Sequence, residues 1–143
     1  SKFQEKGSNV EIHIEITDGL PLFQLDVGLM DQMMDNLLTN AVQYGPSKPI
    51  IFIHVGMKNE QLQLTVSDNG PGFPEEYIPL VFEKFFRLPH AKAGGTGLGL
   101  SIVKGFVSAH QGTIALCNLP QKGCRFTILF PAPTSYINQL KHE

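Results

Sequence analysis

Asn36, Asn40 and Gln43 stand in a stretch whose pattern reads as helix. At about 100° per residue their side chains fall within roughly 60° of one another. The row borders an apolar stripe made by Met30, Met33, Met34, Leu37 and Ala41. Neutral amide oxygens beside a core suit a hydrated divalent cation and the phosphates it accompanies. Magnesium keeps most of its waters, so one or two amides suffice. A solvated polar helix edge is the competing reading.

Asp68 closes a run in which Leu62, Leu64 and Val66 alternate with polar residues, so parity turns its carboxylate toward the core side. An inward carboxylate needs a donor, and the exocyclic amine of adenine is one. Gly70 and Gly72 then allow a sharp turn and close approach to a flat ring. A plain turn opened by Asp-Asn-Gly accounts for the same residues.

Gly94, Gly95, Gly97 and Gly99 crowd together just before an amphipathic run. Backbone amides at a helix N-terminus favour phosphate; a flexible linker is the alternative. No Lys-Ser or Lys-Thr follows, so this is not a P-loop, and no strand leads directly into it, which excludes a dinucleotide fingerprint. Arg87 precedes residues 88–96, a small, polar, Gly-rich segment that reads as a mobile loop, ordering around nucleotide. Arg87 is then either a surface arginine or a cation carried onto a terminal phosphate. Phe82, Phe85 and Phe86 read most simply as core or hinge packing.

The elements that must position these residues follow from periodicity. Val10, Ile12, Ile14 and Ile16 alternate with polar residues and predict a half-buried strand, broken by Gly19 and Pro21. Residues 22–25 read as a short strand, Asp26 as an N-cap, and 27–44 as a helix ended by Gly45 and Pro46. Strands are expected over 50–55 and 62–66, joined by a turn at Lys58 and Asn59. A loop with at most a short helix covers 71–79, and 80–86 reads as helical. A helix over 98–109 stops at His110, Gln111 and Gly112, and 113–118 with 125–130 form a last hairpin. The pattern predicts a two-layer α/β (α+β) sandwich, a mixed sheet with helices on one face.

At 143 residues, with 42% apolar and 17% charged residues, the chain has the make-up of about one soluble domain. Its net charge of −2 gives no bias toward nucleic acid or membrane. No apolar run approaches the roughly 20 residues that span a bilayer, and no signal peptide opens the chain. The histidines have no ligand spacing. Cys117 and Cys124 flank an expected turn and read as paired small core residues, with a disulfide the alternative.

The blocks Asn36-Leu-Leu-Thr-Asn40-Ala41, Asp68-Asn-Gly70-Pro-Gly72, Phe82-Glu-Lys-Phe-Phe-Arg87 and Gly95-Thr-Gly97-Leu-Gly99-Leu resemble, in this order, the N, G1, F and G2 boxes of the sensor histidine kinases. Further along, His110-Gln-Gly112-Thr-Ile114 and Gly123-Cys-Arg-Phe126 are similar to that family's closing strands. The stretch from Gly94 to Lys104 and the Asn118-Leu-Pro120 turn are similar to the potassium-sensing branch. The family belongs to the GHKL superfamily, shared with gyrase, MutL and the large heat-shock chaperone.

The resemblance implies a Bergerat-type ATP-binding fold over residues 1–133, followed by a tail at 134–143. It implies ATP and Mg2+ as cofactors, with Asn40 on the metal and Asn36 assisting. It also implies Tyr44 near base or sugar, Asp68 on the adenine amine with Gly70 and Gly72 shaping that wall, Thr96, Gly97, Leu98 and Gly99 around the phosphates, and Arg87 reaching the terminal phosphate. The sequence departs from the family at Gln43, where many members carry lysine. A neutral amide there can still donate to phosphate but removes a positive charge.

The implied activity is transfer of the ATP γ-phosphoryl group to a histidine on a separate helical-hairpin domain of the same, usually dimeric, kinase, and from there to a response-regulator receiver. No histidine of this chain has the setting of a phosphoacceptor: His13 and His54 fall in strands, His90 in the loop, His110 at a helix end and His142 at the chain's end. The chain is therefore expected to be the cytoplasmic ATP-binding domain of a larger, membrane-anchored bacterial sensor, itself touching neither membrane nor nucleic acid. Two other functions compete. One is a hydrolysing clamp of the gyrase or chaperone type, which uses a glutamate where Asn36 stands. The other is a kinase-like module that only binds.

Overall fold

The computed structural model describes residues 9–20, 27–44, 46–88 and 99–131. Five strands form one mixed sheet in the order β1-β2-β3-β5-β4. They are β1 (Glu11–Ile16), β2 (Ile50–Lys58), β3 (Gln61–Asp68), β4 (Thr113–Asn118) and β5 (Cys124–Pro131). β1 runs parallel to β2, and every other pairing is antiparallel. Helices α1 (Val27–Tyr44) and α2 (Gly99–Ala109) pack against each other and against one face of the sheet. This is the expected two-layer α/β sandwich.

Alternation along the strands builds the core in rows. Ile53, Val66, Phe126 and Leu116 are register partners across four strands and all are buried. The next row holds Val55, Leu64, Ile128 and Ile114, and beyond it Met57, Leu62 and Phe130. From the helices, Met33, Leu37, Leu38 and Ala41 of α1 and Leu100, Val103, Phe106 and Val107 of α2 close over these rows. A side chain such as Val103, with 0% exposure, contributes about 1.5–3 kcal/mol by leaving water.

The hairpin between β2 and β3 turns at Asn59 and Glu60, one residue later than expected, and both strands run longer than predicted. Both turn residues have positive φ, 50° and 66°, as a two-residue type I′ turn requires. Helix α2 ends with Gln111 at φ 61° and with the Gly112 amide donating to the Val107 carbonyl at 2.9 Å. A Cβ on Gly112 would overlap the Leu129 carbonyl, so only glycine lets the chain leave the helix and enter β4 directly.

Several expectations need correction. Residues 80–86 are not helical. A 3-10 helix spans Glu75–Leu80, and turns follow it, with Val81, Glu83 and Phe86 each donating to the carbonyl three residues back. Phe85 sits at φ 66°, in the left-handed region, so an α-helix cannot run through these residues. Phe85 is also not core, being 70% exposed, whereas Phe82 and Phe86 pack against the core. The cysteines are not paired core residues. Both are free, with Cys124 buried and Cys117 exposed. Their ladder partners are Asn118 and Arg125 respectively, which sets them on opposite faces. β1 is an edge strand whose Ile14 and Ile16 remain about three-fifths exposed, at 59% and 60%, so it is less buried than its alternation implied. The expected strand at 22–25, the cap Asp26, Gly45, residues 89–98 and the tail 134–143 lie outside the described residues.

Candidate functional site

The apolar rows of the sheet give way to a polar row at one end. Ile51 faces Asp68 across the β2–β3 ladder, and Cys124 faces Asn118 across the β4–β5 ladder. Asp68 lies one step beyond the last β3–β5 pair, Ser67 with Arg125, and so comes beside Cys124. The row therefore reads Ile51, Asp68, Cys124, Asn118, all on the helix-covered side. Helix α1 reaches this end of the sheet with Asn40 and Ala41. Together Asn40, Ala41, Asp68, Gly70, Pro71, Gly72, Phe73 and Cys124 line a shallow cleft.

Asp68 is half-buried and holds two internal donors. The Gly70 amide donates to Oδ1 at 2.8 Å, and the Cys124 thiol donates to Oδ2 at 3.2 Å. An ionised carboxylate offers about four lone-pair directions, so it retains capacity for a further donor from the cleft. Burial, followed by the neighbouring Asp68 carboxylate and its hydrogen bond, pushes the Cys124 thiol well above its ordinary range. The thiol therefore stays a neutral donor.

The turn after Asp68 is tied at both ends. Asn69 Oδ1 accepts from the Ile50 amide at 2.9 Å, anchoring it to the start of β2. Asn118 holds Phe73 from the other side. Gly72 has φ +80° and a Cβ there would stand 2.6 Å from Asn118 Oδ1, so this turn demands glycine both for its dihedral and for space.

Asn36 lies one turn before Asn40 on α1 and is half-buried. Its Nδ2 is buried without a hydrogen-bond partner among the described residues. Gly99, the first residue of α2, packs against it: a Cβ on Gly99 would come 4.0 Å from Asn36 Oδ1. The N-terminus of α2 thus meets the polar edge of α1, as a phosphate-and-cation site requires. A buried side-chain N–H donor beside a helix N-terminus fits an ATP phosphate oxygen, and an amide oxygen would serve a magnesium ion. Among the described residues no cluster of His, Cys, Asp or Glu is placed to hold a metal, so amides, phosphate and water would form the coordination shell.

Of the residues singled out from sequence, Asn40, Asp68, Gly70 and Gly72 come together in the cleft, with Asn36 and Gly99 adjoining one another. Arg87 is half-buried after the 3-10 helix and is not among the cleft-lining residues. Gln43 and Tyr44 belong to the last turn of α1, but their side chains lie outside the described residues, as do Thr96, Gly97 and Leu98 entirely. Sequence reasoning missed Cys124, Phe73 and Asn118. Parity alone puts Cys124 on the buried side with Phe126 and Ile128; its meeting with Asp68 depends on long-range register.

Residues 25–134 match the family described as histidine kinase-, DNA gyrase B- and HSP90-like ATPase, and this span takes in the whole cleft. The chain belongs to this family. It is 37% identical over 140 residues to the sensor protein KdpD of Escherichia coli K12, covering 97% of this chain but 16% of KdpD. Among solved structures it is similar to the mycobacterial sensor histidine kinase MprB, with TM-score 0.78 and 28% identity over 93% of this chain and 91% of that one. It is equally similar to the catalytic domain of histidine kinase ThkA, with TM-score 0.77 and 28% identity over 91% of this chain and 85% of that one. The chain is thus an ATP-binding catalytic domain of the sensor histidine kinase kind, and it spans a small part of its full-length relative. No helix among the described residues is long and apolar enough to cross a membrane.

Proposed function

We propose that this domain binds ATP with Mg2+ and passes the γ-phosphoryl group to a histidine on a separate helical-hairpin domain of its own kinase, from which a response-regulator receiver takes it. The observation that supports this most is the meeting in one cleft of Asp68, which retains acceptor capacity, with Asn40, while Asn36 lies one helical turn before Asn40 and adjoins Gly99. Asp68 accepts from the adenine amine while the segment 70–73 forms a wall against the ring. Asn40 and Asn36 hold the magnesium ion, which when bound neutralises phosphate charge. Gly99 lets the N-terminus of α2 approach the phosphates, with Thr96, Gly97 and Leu98 leading into it. Gln43 donates to phosphate, Tyr44 borders base or sugar, and Arg87 supplies a cation to the terminal phosphate. Phosphoryl transfer needs little more from a protein than positioning and charge neutralisation. The parent kinase is proposed to carry this domain on the cytoplasmic side of a membrane.

The clamp-ATPase reading needs a base to activate water, and the position one turn before Asn40 carries an amide, Asn36, with no basic atom. That favours transfer over hydrolysis. Incubation with γ-labelled ATP tests both. The chain alone should neither label itself nor release phosphate briskly, and a separately added phosphoacceptor domain from the same kinase should acquire acid-labile, base-stable label. Label on this chain alone, or rapid phosphate release without acceptor, refutes the proposal.

A further inference from the structure

The geometry points to Asn118 as a positioning residue that holds the base-facing wall of the cleft in place. Asn118 is the last residue of β4, at the sheet's outer edge, two strands away from Asp68. At about 4.8 Å per strand that separation is roughly 10 Å. After Asp68 the chain crosses the end of β5 and meets Asn118 at Phe73. There the side-chain amide pairs with the Phe73 peptide as a neighbouring strand would. Oδ1 accepts from the Phe73 amide at 2.8 Å, and Nδ2 donates to the Phe73 carbonyl at 2.6 Å.

The second Nδ2 hydrogen goes to Glu75 Oε1 at 2.9 Å. This sets the amide's orientation. A flipped side chain would turn its oxygen toward two acceptors, the Phe73 carbonyl and the Glu75 carboxylate, and its NH2 toward a donor. The adjoining turn is shaped to the same end. Gly123 has φ +90°, and a Cβ there would overlap the Asp68 carbonyl. The Leu119 amide closes this turn on the Gly123 carbonyl at 2.9 Å. The β4–β5 hairpin is therefore seated against the start of the wall while Asn118 grips its far end, and Gly72 is the residue that lets Asn118 come this close.

A wall tied down before ligand arrives loses no freedom when it binds. Asn118 is not among the residues that line the cleft; it acts through Gly72 and Phe73. The inference rests on residues 68–73 forming the base wall, and the experiment separates the two ideas. The affinity of the chain for ATP and for adenosine is measured by calorimetry or displacement in Asn118→Ala, Asn118→Asp, Gly72→Ala, the Asn118→Ala/Gly72→Ala double variant and Asp68→Asn, each checked for folding by circular dichroism.

Asn118→Ala should weaken ATP and adenosine by the same factor, about fivefold or more. Asn118→Asp is isosteric and keeps the acceptor for the Phe73 amide, which preserves the fold. At neutral pH it sets a carboxylate against the Phe73 carbonyl and Glu75, so it should also weaken both ligands. Gly72→Ala should cost less affinity once Asn118 has been truncated, because the contact it would crowd is gone while the strain of a φ of +80° remains in both backgrounds. A merely structural residue would lower thermal stability without moving the affinity of the folded chain or coupling to Gly72. Unchanged adenosine affinity in folded Asn118 variants, or strictly additive costs with Gly72→Ala, overturns the inference while Asp68→Asn still weakens binding. Unchanged affinity in Asp68→Asn instead overturns the base wall itself, and the inference with it.

Discussion

Cys124 Sγ lies 3.2 Å from Asp68 Oδ2, so a buried thiol donates to the carboxylate that ends β3. A neutral donor suits this place, because a thiolate beside Asp68 would repel it at close range. Burial and Asp68 together hold the thiol protonated well above its ordinary range.

That relationship sets a pH dependence. The folded-state pKa of Cys124 is raised, so the native chain binds this proton more tightly than the unfolded chain does. Stability from this group is complete below the unfolded thiol value of about 8.5 and is lost as pH rises beyond it. The slope approaches at most about 1.4 kcal/mol per pH unit. Urea denaturation between pH 8 and 10 should show the decline, and Cys124→Ser should flatten it. Iodoacetamide at pH 8 should modify exposed Cys117 quickly and Cys124 only after unfolding. Equal rates for the two would show that Cys124 is open to solvent.

Asp68→Asn keeps an acceptor for the Gly70 amide but loses the charge that an adenine amine would meet. A hydrogen bond to a charged group is worth roughly 1.5–3 kcal/mol, so ATP affinity should fall about tenfold or more. Calorimetry reads the change, and thermal unfolding should confirm a folded domain. An affinity for GTP equal to that for ATP in the unaltered chain would remove Asp68 from base recognition.

Asn40→Ala should act on the phosphates and leave the base alone. Affinity for ATP in the presence of Mg2+ should drop about tenfold, the loss of one charge-assisted contact. Affinity for adenosine should stay unchanged. Titration with and without EDTA checks this: wild-type binding should weaken sharply on chelation and the variant's much less.

Glu60 sits at φ 66° in the β2–β3 turn, away from the cleft. A non-glycine residue in the left-handed region costs roughly 1–2 kcal/mol. Glu60→Gly should recover most of this, less the entropy glycine adds to the unfolded chain, for a net gain of about 0.5–1 kcal/mol. The denaturant midpoint should rise with no change in slope, and ATP affinity should not move.

Much of the architecture was legible in the sequence because it is local. The period of apolar residues gives α1, Asp26 with Gly45 and Pro46 gives its limits at Val27 and Tyr44, and alternation gives β3 and the inward turn of Asp68. The glycines of the turn after Asp68 announce a close approach. The motif order alone names the family. Residues 80–86 misled because three phenylalanines at helical spacing look like a buried stripe, while the left-handed Phe85 breaks any helix there. Cys117 misled because a small apolar residue invites a core reading, whereas alternation with buried Leu116 turns it outward.

What the sequence could not decide was which distant residues would share a row. Asp68, Cys124 and Asn118 are up to 56 residues apart in the chain and become neighbours only through the β3–β5 and β4–β5 ladders. A shift of one residue in either ladder would turn these side chains to the opposite face. Local preference carries no information about that choice. It is made by the apolar rows that lock the strands together, from Leu116 and Phe126 to Val66, and the polar row at their end inherits its geometry from them.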